Sequence, residues 1–241
     1  MSTRLFVSIG NTTLHWAAEL DGEWSAEGRV AWQDSGDALA ATGIVRPDVI
    51  VACVSSPDRL AAFEAAAPCP TRVMRRDFDG GVPVAYRDPG AIGADRLATA
   101  TAAAHLYGTP CVVVSAGTCL TCEAIAAEGI LIGGAIAPGL PAYLKGLAAS
   151  VPHLPEPQLL PDATVALPGK TTEENLVLGL CLSLAGAADR VAVAMREVVG
   201  AEATLVLAGG DGGLVERFSL LQWRTNPLLD LEGLRIIHDG E

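Results

Sequence analysis

Two short turns in this chain place glycine beside side chains that bind phosphate well. The first is Gly10-Asn11-Thr12-Thr13, and the second, Gly117-Thr118, lies much later in the chain. Glycine lets the backbone approach a ligand closely, and the neighbouring amide and hydroxyl groups can hydrogen-bond phosphate oxygens. An ordinary hairpin turn has the same composition. Because the turn occurs twice in similar surroundings, phosphate binding is the favoured interpretation.

The residues around the two turns also repeat. Val7–Ala17 reads VSIGNTTLHWA and Val114–Ala124 reads VSAGTCLTCEA, and the two align without a gap at Val-Ser-x-Gly. Such self-similarity favours an internal duplication. Neither turn matches the P-loop pattern or the dinucleotide-binding glycine pattern. A glycine pair at Gly209-Gly210 gives a third close approach of backbone, suited to a nucleoside.

The elements that must position these turns follow from the hydrophobic pattern. Alternation after Gly10 predicts a half-buried strand, and Asp21-Gly22 predicts a hairpin. In the first half we expect strands at 5–9, 14–20, 23–32 and 49–54 and helices at 35–43 and 57–67. A Gly/Pro-rich connector at 77–92 then leads to a helix at 94–107. The second half restarts with strands at 110–114, 121–126, 129–132 and 204–207 and helices at 138–149, 172–199 and up to 215, with an irregular Pro-rich segment at 151–170.

Composition excludes several classes of partner. Half of the 241 residues are hydrophobic, which is enough to bury a sizeable core. The net charge of −12 argues against nonspecific nucleic-acid binding and against anionic membrane surfaces. No apolar run reaches the length of a membrane-spanning helix, and the first apolar run is too short for a signal peptide. We therefore expect a cytoplasmic protein without nucleic-acid or membrane partners.

The six cysteines include one CxxC pair, Cys119 and Cys122. A zinc site would need a second such pair or a pair of histidines, and a redox pair usually begins a helix. This pair lies within a strand pattern, so core or strand-face cysteines are the favoured interpretation.

Several short motifs occur along the chain in a characteristic order. They are Ser8-Ile9-Gly10-Asn11-Thr12 with His15, Gly93-Ala94-Asp95-Arg96 preceded by Tyr86 and Pro89, Ser115-Ala116-Gly117-Thr118-Cys119-Leu120-Thr121, Gly133–Gly139, Gly169–Thr172 and Asn226–Leu234. Each motif is short, but the ordered set is specific. The chain resembles the type III pantothenate kinases, which belong to the acetate and sugar kinase/Hsp70/actin superfamily.

The resemblance implies an α/β fold made of two duplicated ribonuclease-H-like (actin-like ATPase) half-domains. Each half would hold a mixed sheet flanked by helices, with a nucleotide cleft between the halves. The expected halves are residues 1–108, with the first phosphate motif, and 109–241, with the second motif and the dimer-forming helices. The implied reaction is the ATP-dependent phosphorylation of pantothenate to 4'-phosphopantothenate, at the start of coenzyme A biosynthesis. A homodimer, Mg²⁺ and a monovalent cation, K⁺ or NH₄⁺, are implied with it.

The resemblance also assigns roles to residues of this chain. Asp95 would be the general base, and Arg96 would meet the carboxylate of pantothenate. The substrate pocket would comprise Tyr86, Gly93, Ala94, Asp95, Arg96 and Thr172, the last plausibly from the partner subunit. The ATP site would comprise Ser8, Ile9, Gly10, Asn11, Thr12, Thr13, Leu14, His15 and Thr118, and Ser115 would stand at the cation site. The residues alone allow plainer interpretations: Asp95 is also suited to the first turn of a helix, and Arg96 to a surface ion pair.

Three positions depart from the family pattern. Ser8 and Ser115 replace aspartates of the first and third motifs, and His15 replaces a lysine or arginine. Hard cations bind best to carboxylate oxygens, so cation binding should be weakened. Two functions therefore stay open: an active pantothenate kinase with an altered cation site, or an inactive relative that keeps the fold and ligand binding in a regulatory or sensing role.

Overall fold

A computed structural model describes residues 2–32, 47–159 and 165–240. The helix predicted at 35–43 lies outside the described residues. The chain forms two compact units: Met1–Tyr107 with Gly129–Leu131 and Leu228–Glu241, and Gly108–Glu128 with Ile132–Pro227. The C-terminal stretch Leu228–Glu241 therefore belongs to the first unit, although it follows the second unit along the chain.

The first unit contains a five-stranded mixed sheet. Its strands are β1 (Thr3–Ile9), β2 (Thr13–Leu20), β3 (Glu23–Ala31), β4 (Val49–Val54) and β5 (Thr71–Val73). Their order is β3-β2-β1-β4-β5, in which β1 to β3 form an antiparallel meander and β4 and β5 run parallel to β1. The predicted hairpin is confirmed, since Asp21 and Gly22 both have positive φ, at 50° and 93°.

The second unit repeats this topology. Its strands are β6 (Cys111–Ala116), β7 (Cys119–Ile125), β8 (Leu131–Pro138), β9 (Thr204–Ala208) and β10 (Arg224–Thr225). Their order is β8-β7-β6-β9-β10, with β7 antiparallel and β9 parallel to β6. The first strand of each unit therefore lies at the centre of its sheet, with the same neighbours in the same order, as a duplication predicts.

Helices accompany both sheets. They are α1 (Pro57–Ala66), α2 (Ala94–Tyr107), α3 (Leu140–Ser150), α4 (Thr172–Val199), α5 (Gly212–Phe218) and α6 (Leu229–Asp239). Pro57 begins α1, where its missing N–H costs nothing. The Thr171 hydroxyl and the Glu174 carboxylate form a capping box at the start of α4.

Helix α4 is long and apolar enough, by length and composition, to cross a membrane, although none was expected from the sequence. Its Leu184, Ala188 and Ala192 are buried and pack in the core of the second unit, against side chains of β6 and β9. A helix that covers one face of a sheet needs such an apolar stripe. This packing buries 33% of the most apolar stretch of the helix.

Helix α6 was not predicted as an element. Gly233 lies near its middle, and glycine lowers helix propensity by about 1 kcal/mol relative to alanine. The structure supplies the reason for glycine, because a Cβ at this position would overlap the carbonyl oxygen of Ala98 in α2. Tertiary packing of α6 on α2 thus outweighs the local propensity.

Candidate active site

The candidate site begins at the carboxyl ends of two parallel strands in the first unit. Ser8 is next to last in β1 and lies beside Cys53, next to last in β4. His15 of β2 lies opposite Ser8. Leu5, Val7 and Ile9 pack in the core on one face of β1, so Ser8 belongs to the other face. Ligands of α/β proteins commonly bind at this end of parallel strands.

The first glycine turn connects β1 to β2. The backbone N–H of Gly10 donates to the carbonyl oxygen of Thr13 at 3.1 Å, and the indole N–H of Trp32 donates to the Gly10 carbonyl oxygen at 3.0 Å. Asn11 and Thr12 are exposed at the tip. The backbone of the turn is therefore fixed, while its amide and hydroxyl side chains face solvent.

Asp95 lies in the first turn of α2. A Cβ on Gly93 would come within 2.5 Å of an Asp95 carboxylate oxygen, so glycine makes room for this side chain. Burial raises the pKa of the Asp95 carboxyl, and the nearby Asp230 raises that pKa further, against the lowering effect of the backbone N–H and guanidinium of Arg96. A raised pKa makes this carboxylate a stronger base.

Arg96 and Tyr86 are held together. An Arg96 guanidinium nitrogen donates to the Tyr86 hydroxyl oxygen at 3.0 Å. The segment before Tyr86 is fixed because the Ala85 N–H donates to the Leu131 carbonyl oxygen and the Leu131 N–H donates to the Pro83 carbonyl oxygen, both at 2.9 Å. The predicted substrate residues Tyr86 and Arg96 thus contact each other directly.

Arg75 fixes the loop that leads to Gly93. Its guanidinium donates to the carbonyl oxygens of Gly90 at 2.9 Å and Ile92 at 2.6 Å. Arg75 adopts a positive φ of 68°, which is unusual for a residue with a side chain. Sequence reasoning missed this residue, because it belongs to no motif and its partners are backbone atoms.

A second carboxylate, Asp230 of α6, lies at the same place and was also missed. The Nδ1 atom of His15 lies 3.0 Å from both of its carboxylate oxygens. Burial favours a higher pKa for Asp230, but the charge and hydrogen bond of His15, with smaller contributions from Arg29 and the Ser8 hydroxyl, lower the pKa below its usual value. Asp95 and Asp230 both act on buried Cys53 and raise its thiol pKa, after the larger effect of burial. Asp230 therefore lies beside Ser8 at the carboxyl ends of β1 and β4, and Asp95 lies within electrostatic range of both Asp230 and Cys53.

Ion pairs and hydrogen bonds anchor α6 to the first sheet. Arg4 of β1 pairs with Glu19 of β2 at 2.6 Å and with Asp239 near the end of α6. The indole N–H of Trp24 donates to Glu232 at 2.7 Å. These contacts fix the helix along its length and so fix the position of Asp230.

The second glycine turn lies in the second unit and is one residue shorter. Ser115 is next to last in β6 and lies opposite Thr121, as Ser8 lies opposite His15. The Gly117 N–H donates to the Cys119 carbonyl oxygen at 3.0 Å, and the Gly139 N–H donates to the Thr118 carbonyl oxygen at 3.2 Å. Ser115 and Thr118 thus occupy positions in this unit equivalent to those of the first motif.

Ser115 replaces an aspartate of the family pattern, and the motif Ser115–Thr121 contains no carboxylate. The nearest one along β7 is Glu123, two residues beyond Thr121 and buried on the same face of the strand. Thr172, the first residue of α4, is exposed in this unit. Within the described residues, no group of three or more His, Cys, Asp or Glu side chains could hold a metal ion.

The predicted site residues therefore separate by unit. The first unit brings together the turn Ser8–His15, the segment Gly93–Arg96 and Tyr86, and it adds Asp230. Ser115, Thr118 and Thr172 belong to the second unit.

A family model described as type III pantothenate kinase matches residues 4–194 of this chain. The chain belongs to the type III pantothenate kinase family. The matched range includes both glycine turns and the Gly93–Arg96 motif, and it ends before α6.

Curated relatives agree with this family. A type III pantothenate kinase from Frankia alni is 38% identical over 159 residues, which are 66% of this chain and 63% of the relative. One from Moorella thermoacetica is 35% identical, over 66% of this chain and 62% of the relative. One from Salinispora arenicola is 30% identical, over 85% of this chain and 80% of the relative. The matches to the first two span less than two thirds of those relatives' length.

Solved structures agree on the fold. The activator of 2-hydroxyisocaproyl-CoA dehydratase from Clostridium difficile, with bound ADPNP, has a TM-score of 0.59 at 12% identity, covering 98% of this chain and 95% of that chain. A 2-dehydro-3-deoxygalactonokinase protein from Sinorhizobium meliloti has a TM-score of 0.59 at 16% identity, covering 98% and 96%. The predicted fold class, two duplicated halves of the actin-like ATPase and sugar kinase type, is confirmed.

Proposed function

We propose that this protein is a pantothenate kinase that transfers the γ-phosphoryl group of ATP to the primary hydroxyl of pantothenate. Family membership supports the substrate pair, and the arrangement of Asp95 and Arg96 at the start of α2, with Tyr86 hydrogen-bonded to Arg96, carries the proposal. The product, 4'-phosphopantothenate, starts coenzyme A biosynthesis. We place the protein in the cytoplasm as a homodimer, in keeping with the family resemblance.

In this proposal Asp95 orients the pantothenate hydroxyl and accepts its proton as the O–P bond forms. Phosphoryl transfer depends mostly on positioning and charge stabilisation, so the orienting role is as important as proton removal. Burial supports this role because it raises the pKa of the carboxyl and limits competing water.

Arg96 would bind the carboxylate of pantothenate through its planar guanidinium. The Tyr86 hydroxyl oxygen, 3.0 Å from an Arg96 guanidinium nitrogen, would hold that guanidinium in orientation. Gly93 and Ala94 bring this segment close to the substrate. Thr172 would complete the pocket from the partner subunit, as the family resemblance implies.

The turn from Ser8 to His15 would bind the ATP phosphates. Asn11, Thr12 and Thr13 offer amide and hydroxyl groups beside the fixed backbone of Gly10, and Thr118 of the second turn would contribute another hydroxyl. Ile9 and Leu14 are buried on the core face and hold the base of the turn.

The oxygen atoms around Ser8 are suited to Mg²⁺, which proteins usually bind through one or two carboxylates together with substrate phosphates. Asp230 and the Ser8 hydroxyl, to which it is hydrogen-bonded, supply oxygen atoms of this kind. When bound, Mg²⁺ neutralises charge on the transferring phosphoryl group. K⁺ or NH₄⁺ near Ser115 is a weaker expectation, since that turn offers a hydroxyl and no carboxylate.

The second candidate is that this protein is a catalytically inactive relative, which binds the same ligands and acts as a sensor or regulator. Ser8 and Ser115 favour it, because both replace motif aspartates. Loss of one charge-stabilising group costs about 10²–10³ in rate by analogy with oxyanion-hole donors.

A coupled assay of ADP release, with pantothenate and with or without K⁺, tests the two candidates. Asp95→Asn should lower kcat by about 10²–10⁴, the usual contribution of a general base. Asp58→Asn, in the first turn of α1, is the matched control and should leave the rate unchanged. Activity that survives Asp95→Asn would refute the assignment of the base.

A double variant that restores both motif aspartates tests the inactive candidate. If the natural protein shows no turnover and Ser8→Asp with Ser115→Asp restores it, the active kinase is refuted. If pantothenate also fails to raise the melting temperature of the natural protein, substrate binding is refuted as well.

A further inference from the structure

Ser8 occupies the position of an aspartate in the first motif of the family. A carboxylate from a different element of the fold lies beside Ser8. Asp230 of α6 accepts a hydrogen bond from the Ser8 hydroxyl and pairs with His15, the residue opposite Ser8 on β2. The two positions are far apart in sequence and adjacent in the folded first unit.

Asp230 is also in a state to bind a cation. The Nδ1 atom of His15, which lies opposite Ser8, is 3.0 Å from both carboxylate oxygens and so holds the Asp230 side chain in one orientation beside Ser8. The Asp230 side chain remains 20% exposed. A carboxylate offers about four lone-pair positions, and the bonds from His15 and Ser8 do not use them all.

A purely structural role explains Asp230 poorly. Helix α6 is already anchored by Arg4 to Asp239 and by Trp24 to Glu232. Asp230 also lies within electrostatic range of Asp95, and the like charges of the two carboxylates repel each other. Like charges held together at the carboxyl end of a sheet are typical of a functional site.

We infer that Asp230 supplies the carboxylate missing at Ser8 and binds the divalent cation that accompanies the nucleotide phosphates. This inference rests on the proposed function. In this arrangement the side chain comes from α6 instead of β1, and the Ser8 hydroxyl and His15 hold it in place.

The test is the binding of Mn²⁺ with ADP, followed by electron paramagnetic resonance and calorimetry. Asp230→Asn keeps the size and can keep the His15 hydrogen bond, but it removes the charge. We expect it to weaken Mn²⁺–ADP binding by about 10–100-fold, the usual effect of altering a group that orients or holds a metal. Ser8→Asp combined with Asp230→Asn should restore binding to nearly the natural level, because the carboxylate returns from β1.

Asp58→Asn, in the exposed first turn of α1, is the matched control and should bind Mn²⁺–ADP as the natural protein does. The inference is overturned if Asp230→Asn binds like the natural protein, if the double variant folds but does not recover, or if the natural protein binds no Mn²⁺–ADP. Pantothenate turnover is measured separately on the same samples. Mn²⁺–ADP binding that depends on Asp230, without turnover, would support the inference and refute the proposed kinase.

Discussion

At the scale of single residues, the site depends on pairs in which one side chain orients another. Tyr86 orients Arg96, and His15 and Ser8 orient Asp230. Arg75 acts in the same way on backbone carbonyl groups before Gly93. Because a bound ligand needs groups that are already in position, these partners should affect affinity more than stability.

Tyr86→Phe tests this idea. It removes the oxygen that accepts from Arg96 and leaves the ring in place. A hydrogen bond to a charged group contributes about 1.5–3 kcal/mol, so we expect the Kd for pantothenate, measured by calorimetry, to rise roughly tenfold or more, with little change in melting temperature. Tyr107→Phe at the end of α2 is the control, and an unchanged Kd in Tyr86→Phe would exclude the orienting role.

At the scale of elements, α6 decides the composition of the site. It carries Asp230 to Ser8, and it can do so because Gly233 allows a close approach to Ala98 of α2 and because Arg4 and Trp24 hold it on the sheet. The sequence predicts α2 and the strands well, since their hydrophobic patterns are regular. It does not predict α6, whose central glycine is explained only by a neighbouring helix.

Gly233→Ala should destabilise the protein even though alanine is the better helix former. The added Cβ meets the Ala98 carbonyl oxygen, and such overpacking costs about 1–3 kcal/mol. We expect the melting temperature to fall by roughly 2–4 °C for each kcal/mol. Gly186→Ala in α4 meets no atom within 4 Å and should raise the melting temperature slightly. Equal shifts in the two variants would contradict the packing argument.

The pair between Arg4 and Asp239 makes the anchoring of α6 depend on pH. The Arg4 hydrogen bond, opposed by partial burial, lowers the pKa of Asp239 in the folded state. The stabilisation is therefore present above the unfolded pKa of about 3.9 and is lost as pH falls through the lower folded-state pKa.

Asp239→Asn should lower the free energy of unfolding at pH 7 by less than about 1 kcal/mol, because the carboxylate is 45% exposed. Denaturant melts at pH 7 and below pH 3 measure the difference, which should shrink at the lower pH. Glu27→Gln, on an exposed position of β3, should show no such trend. A difference that persists in acid would mean that the ion pair is not its cause.

At the scale of the whole molecule, two units share one topology, with the first strand of each at the centre of its sheet. The repeated Val-Ser-x-Gly stretch predicts this arrangement because both copies end a central strand and begin a hairpin. The repeat also explains why Ser8 and Ser115 occupy equivalent positions. The two units differ at that position: Asp230 lies against Ser8, whereas Ser115 faces Thr121, with Glu123 further along the strand.

The sequence by itself determined the family, the duplicated α/β fold and the motif residues from Ser8 to Arg96, because these depend on local patterns of hydrophobicity, glycine and order along the chain. It also indicated a missing carboxylate at Ser8. The residue that lies beside Ser8 became known from the folded structure, since Asp230 reaches Ser8 through the packing of α6 on α2 and the sheet. Contacts between residues so distant in sequence leave no local pattern, and for that reason the sequence could not predict that the Asp230 carboxylate lies beside Ser8.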